Sequence, residues 1–251
     1  MAMHRGQHLL SGCAKLRNLP PSPGIRPSPL PAHIAMDIEA ARQQMIDQQV
    51  RAWDVLDSRV LETLARVPRE LFVPAAVRAA AFADAEIPLA CGQWMQAAKF
   101  HGRVLQAVAV EPGDTALEIG TGTGYLAACL SALGAQTTAL EYHAELAAAA
   151  RTNLRAAGFN GVTVIDADAT TWEPTEHYDV IVLGAALPAY DARYEHWLKV
   201  GGRLFVVVGA AEPMTALLVT RTGEHDYTRT EQFETVIAPL ANAARPSRFV
   251  F

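Results

Sequence analysis

Apolar positions near the start of the patterned region fall on one helical stripe, Ala40, Met45, Ile46 and Val50, which predicts a helix from Asp37 to Arg51. Asp57 is placed as the N-cap of a second helix running through Leu64 and stopping near Pro68, and a short helix is expected from Pro74 to Ala81. Ile87 to Gln96 follows neither period and reads as an irregular or extended connection, after which Phe100, Val104, Leu105 and Val108 mark another helix face. Beyond Pro112-Gly113-Asp114 the rhythm changes: strand 115–119, helix 124–133, strand 136–141, helix 143–157 and strand 162–166. Strands that alternate with helices imply a parallel sheet covered on both faces. A strand from Tyr178 to Leu183, a helix near Ala192 to Leu198 and a Gly201-Gly202 turn into Arg203–Val208 continue it. Candidate strands at 215–220 and 232–237 suggest an antiparallel edge. The predicted fold class is α/β, a doubly wound, mostly parallel sheet with an N-terminal helical cap. The expected domains are an extension at 1–35, a helical cap at 36–111 and an α/β domain at 112–251.

Residues 1–35 break the pattern because Pro20 to Pro31 is dense in proline and serine and no apolar face recurs, so disorder is expected there. Met36 is a candidate initiation site. The stretch is basic and acid-free, as in a presequence, but its prolines oppose the amphipathic helix that a presequence needs. Leu10-Ser11-Gly12-Cys13 resembles a lipoprotein box without the apolar core that should precede it.

Composition narrows the function. A net charge of −5 argues against nucleic acid and anionic membranes as partners. No apolar run reaches the roughly 20 residues of a bilayer span. The 3 cysteines form no CxxC pair, which disfavours a disulfide framework or a zinc site and fits a reducing cytoplasm.

The chemistry centres on Leu117-Glu118-Ile119-Gly120-Thr121-Gly122-Thr123-Gly124-Tyr125, an apolar strand that ends in a glycine-rich turn at a helix N-terminus. The spacing is GxGxG, whereas a dinucleotide fingerprint needs GxGxxG, and this suits S-adenosylmethionine better than NAD. The bare amides of Gly120 to Gly124 are expected to meet the cofactor's carboxylate and ribose. Glu141, at the end of the next strand, is expected to accept from both ribose hydroxyls, and Asp168 from the adenine amino group, with Asp166 a competitor. The expected cofactor-binding set is Glu118, Gly120, Thr121, Gly122, Gly124, Glu141, Tyr142, Asp168 and Ala169. His101 reads as a structural residue, His143 as a neighbour of the cofactor's edge, and Trp94 and Met95 as wall or core.

Several blocks resemble the protein-L-isoaspartate (D-aspartate) O-methyltransferases, within the class I, Rossmann-like methyltransferases. They are Arg66-Val67-Pro68-Arg69-Glu70-Leu71-Phe72-Val73-Pro74, Gly92-Gln93, Leu117 to Tyr125, Tyr178-Asp179-Val180-Ile181-Val182 and Leu198 to Leu204. The resemblance implies methyl transfer to isoaspartyl carboxylates of proteins or peptides, in repair. It assigns the active site to Gln93 and to the position of a family serine, which is Gln96 here because Trp94-Met95-Gln96 replaces Thr-Ile-Ser. Ala97-Ala98 stands for Gln-Pro, and Gly184-Ala185-Ala186 for Thr-Ala-Ala. These departures leave two other readings: a methyltransferase with a different acceptor, and a cofactor-binding module without repair activity.

Overall fold

The computed structural model describes residues 37–245, so the expectations for 1–35 and Met36 lie outside the described residues. Helix α1 spans Ile38–Met45 and is capped by Asp37, whose carboxylate accepts from the Glu39 and Ala40 amides at 3.1 Å. The predicted helix does reach Arg51, but as a π turn over Ile46–Val50 followed by a 3₁₀ turn over Arg51–Trp53. Asp57 caps α2, Ser58–Arg66, through the Arg59 amide at 2.8 Å. The short helix expected at 74–81 is a 3₁₀ segment, Ala75–Ala80, broken at Val77, and a further 3₁₀ turn covers Arg69–Leu71.

The connection at 87–96 contains two residue pairs in antiparallel register, β1 (Ile87–Pro88) and β2 (Trp94–Met95), joined through a tight turn at Ala90–Gly92. It leads into α3, Ala98–Val108. The alternating unit follows as β3 (Thr115–Ile119), α4 (Tyr125–Ala132), β4 (Gln136–Glu141), α5 (Ala144–Ala156) and β5 (Thr163–Asp166). It continues through β6 (Tyr178–Leu187), α6 (Arg193–His196), β7 (Leu198–Val208), β8 (Met214–Arg221) and β9 (Tyr227–Thr235).

The last 7 strands form one sheet in the order β5-β4-β3-β6-β7-β8-β9. The pairs from β5 to β7 are parallel, and β8 and β9 run antiparallel to their neighbours, which gives the expected edge. Several boundaries differ from expectation. Gly201-Gly202 lies within β7, where a register shift absorbs it, β6 runs on to Leu187 rather than ending at Leu183, and α6 stops at His196. The final strand starts at Tyr227 rather than 232, its early residues being exposed and polar and so without an apolar period.

Period-two alternation sorts the sheet's side chains onto two faces. Ala116, Val180, Val182, Phe205 and Val207 join α2, α3 and α4 in one apolar cluster, so the N-terminal helices share a core with the sheet. Leu117, Ile119, Ile181, Leu183, Leu204 and Val206 face the other way, against Tyr194 and Trp197. Strand β3 is flanked by β4 and β6, so the chain's progression reverses there, and the crevice at the carboxyl ends of these strands is the natural ligand position. Among the described residues no helix is long and apolar enough to cross a membrane.

Candidate active site

A cavity of about 270 Å³ opens at that carboxyl edge. Gly120, Gly122, Glu141, Tyr142, His143, Asp168 and Ala169 line one part of it, and Leu89, Gln93, Trp94 and Gln96 line another. Ala238 to Ala241 complete the enclosure from the far end of the chain. A smaller pocket of about 40 Å³ adjoins it, and its lining includes Glu118, Thr121, Tyr125 and His101 together with Gln96, Gly120 and Gly122. Gly124 lines neither space: it caps α4 at φ +86, and a Cβ there would lie 3.1 Å from Leu154 Cγ.

The glycine ladder contributes room more than donors. The Gly120 and Thr121 amides both donate to the Leu140 carbonyl, at 2.9 and 3.1 Å, and the Gly124 amide donates to Thr121 at 2.9 Å. The Gly122 amide donates to Glu141 Oε2 at 2.8 Å. The hydrogens of the Gly120, Thr121, Gly122 and Gly124 amides are thus already used by Leu140, Glu141 and Thr121. What remains is space: Gly120 has φ +81 with nothing within 4 Å of a built Cβ, and Gly122 has φ +55 with only Leu89 at 3.5 Å.

Glu141 is 5% exposed, and its other oxygen accepts from the His143 amide at 2.9 Å. A carboxylate has about four lone-pair sites, so two backbone bonds leave it able to accept more. Glu118 is buried against Thr121, whose hydroxyl donates to its Oε2 at 2.6 Å. Burial pushes the Glu118 carboxyl up to about 7; the Thr121 hydrogen bond opposes the rise and the Glu141 charge adds to it.

Asp168 Oδ1 accepts from the Thr170 amide and hydroxyl at 2.9 and 2.7 Å, and Oδ2 from the Asn242 side-chain amide at 2.8 Å. Burial works against its ionisation, but these bonds and the nearby Arg193 outweigh it and hold the carboxyl below the ordinary range. Asp168 thus already receives an NH₂ donor, the chemistry expected of an adenine amino group. Asp166 is paired with Arg151 instead and does not line the cavity.

On the opposite wall Met95 is buried while Trp94 is 50% exposed, so the tryptophan is wall and the methionine core. His101 is buried, with Nδ1 3.1 Å from Arg69 Nη1. Burial and then the Arg69 charge hold its ring well below the usual imidazole range. Sequence reasoning gave no site role to Arg69, Asn242 or the 238–241 segment; an arginine between the apolar Val67 and Leu71-Phe72-Val73 was the one available signal for the first.

Comparison with known proteins gives a consistent picture. The family model for protein-L-isoaspartate(D-aspartate) O-methyltransferase matches residues 40–244. The chain is 40% identical over 200 residues to a protein-L-isoaspartate O-methyltransferase of Koribacter versatilis, covering 79% of this chain and 90% of that one. It is 37% identical over 185 residues to the protein of that name from Methylorubrum populi, covering 74% and 87%. In fold it is similar to a Plasmodium falciparum chain described as a protein-L-isoaspartate O-methyltransferase and solved with S-adenosyl-L-homocysteine, at a TM-score of 0.71 and 16% identity, covering 79% and 97%.

Proposed function

Because the chain belongs to the protein-L-isoaspartate(D-aspartate) O-methyltransferase family, we propose that it methylates the free carboxylate of L-isoaspartyl residues in proteins or peptides, using S-adenosylmethionine, as a repair enzyme. One observation carries this reading: a single cavity brings the glycine ladder, Glu141 and Asp168 against Gln93, Trp94 and Gln96. The residues present fit the cofactor, since Gly120 and Gly122 leave open the space that side chains would fill, and two carboxylates border it. When bound, the cofactor supplies an electrophilic sulfonium methyl.

Glu141 and Asp168 hold and orient the nucleoside, and Gln93 and Gln96 face the acceptor. An acceptor carboxylate with pKa near 4 is already ionised at pH 7, so no general base is required. With the cofactor held by Glu141 and Asp168, that carboxylate's oxygen would take the methyl carbon as the sulfur–carbon bond broke, and the products would be a methyl ester and S-adenosylhomocysteine. Catalysis then rests on alignment, worth roughly 7 to 11 kcal/mol in well-oriented systems. The Gln96 amide donates to the acceptor where a serine hydroxyl would otherwise do so.

A second reading keeps the methyl donor and changes the acceptor. Trp94, half exposed in the wall, and Gln96, longer than serine, favour a reshaped pocket. The deciding measurement is methyl transfer to an isoaspartyl peptide and to its normal aspartyl twin. Methylation of the first alone is the expected result. Binding of S-adenosylhomocysteine with neither peptide methylated would overturn the repair reading and leave the methyl donor assigned.

A further inference from the structure

Arg69 is 0% exposed, yet among the described residues it forms no ion pair with a carboxylate. Its neighbour Glu70 bonds instead to Arg42, at 2.9 and 3.1 Å. A buried guanidinium without a counter-ion is costly unless its donors are used. Those of Arg69 are spent on neutral groups. Nε donates to the Ala81 carbonyl at 2.9 Å, Nη2 donates to the Gln96 carbonyl at 2.6 Å, and Nη1 meets His101 Nδ1 at 3.1 Å. Its carbon Cζ lies 4.8 Å from the centre of the Tyr125 ring. Because arginine only donates, His101 Nδ1 must accept, which keeps that ring neutral with its proton on Nε2.

The partners come from separate parts of the chain. Ala81 ends a 3₁₀ segment, Gln96 lies in the wall of both spaces, His101 is on α3, and Tyr125 begins α4 directly after the glycine ladder. The bond to Gln96 is the shortest of the set, and it fixes the backbone of the residue whose side chain borders the cavity. We infer that Arg69 is a positioning residue that clamps the Gln96 carbonyl and thereby sets the 94–96 wall at a fixed distance from the first turn of α4. This rests on the reading of Gln93 to Gln96 as the acceptor side of the site. The clamp acts on the acceptor and leaves the cofactor contacts, which sit on Gly120, Glu141 and Asp168, in place.

The test compares Arg69→Lys, Arg69→Met and Gln96→Ala in the full chain, with thermal melting to confirm folding. The readouts are calorimetric affinity for S-adenosylhomocysteine and kcat and KM for an isoaspartyl peptide. Lysine keeps the charge but cannot reach three acceptors at once, so Arg69→Lys should lower kcat/KM for the peptide roughly tenfold while cofactor affinity stays within about threefold. Arg69→Met should be worse than lysine; if it does not fold, the lysine variant decides. Wild-type peptide kinetics in Arg69→Lys beside an impaired Gln96→Ala would overturn the inference. Equal losses in cofactor affinity and peptide turnover would do so too, since they mark general structural damage. A silent Gln96→Ala with a selectively impaired Arg69→Lys keeps the clamp, which holds a carbonyl, and removes the side-chain role of Gln96.

Discussion

Gly184→Ala tests how tightly the carboxyl edge of the sheet is packed beneath the ligand. Gly184 sits in β6 and borders both the cavity and its smaller neighbour. A Cβ there would lie 2.8 Å from the Gly120 carbonyl oxygen and 3.3 Å from that of Ile119. Both obstacles are backbone, so no side chain can rotate away. Reaching ordinary contact at 3.4 Å requires the ends of β3 and β6 to part by about 0.6 Å. Overpacking of this kind costs about 1 to 3 kcal/mol. For a domain of this size 2 kcal/mol lowers Tm by roughly 4 to 8 °C. The displaced group is the glycine turn itself, so affinity for S-adenosylhomocysteine should fall roughly tenfold as well. Gly158→Ala is the control. Its φ is +85 but nothing lies within 4 Å of the added carbon, and it follows α5, away from the cavity lining. It should cost about 1 kcal/mol through the backbone alone and leave cofactor affinity unchanged. Thermal melts of the cofactor-free proteins and calorimetric titrations measure both effects. A Gly184→Ala protein that melts and binds like the parent would refute the argument that these strand ends cannot separate.

Glu141→Gln removes the charge that accepts from the Gly122 and His143 amides, and cofactor affinity should drop by about 1.5 to 3 kcal/mol in titration calorimetry; an unchanged affinity would remove Glu141 from the site. Glu118 predicts a pH dependence: its carboxyl is raised from 4.5 to about 7, so the folded state keeps a proton that the unfolded chain has lost. Its contribution, on the order of 3 kcal/mol, is full below pH 4.5 and is lost as pH rises through about 7. Urea midpoints of the cofactor-free protein between pH 5 and 8 should show that fall, and Glu118→Gln should flatten it; an identical slope in the variant would count against the assignment.

The parts of the site readable in the sequence are those written in local pattern. Short apolar runs alternating with helical segments located β3, β4 and β6, the glycines marked the turn, and strand ends put Glu141 and Asp168 at one edge. The sequence also conveyed that glycines make room for a ligand, but it could not show that their amides were already engaged by Leu140, Glu141 and Thr121. The partners of Arg69, His101 and Asn242 were not legible, because each lies across a large sequence separation and nothing local encodes such a bond. The π turn at Ile46–Val50 kept the helical stripe intact and so left no mark.

The enclosure of the cavity by Ala238 to Ala241, opposite Leu89 and Gln93, has a consequence for biosynthesis. A nascent chain that has made the whole glycine unit still has no complete site until Ala241 leaves the ribosome. Ligand stabilisation, which grows as RT ln(1 + [L]/Kd), is then available only to the finished fold. Binding therefore adds to the stability of a fold whose site includes contacts of high sequence separation, the slowest kind to form.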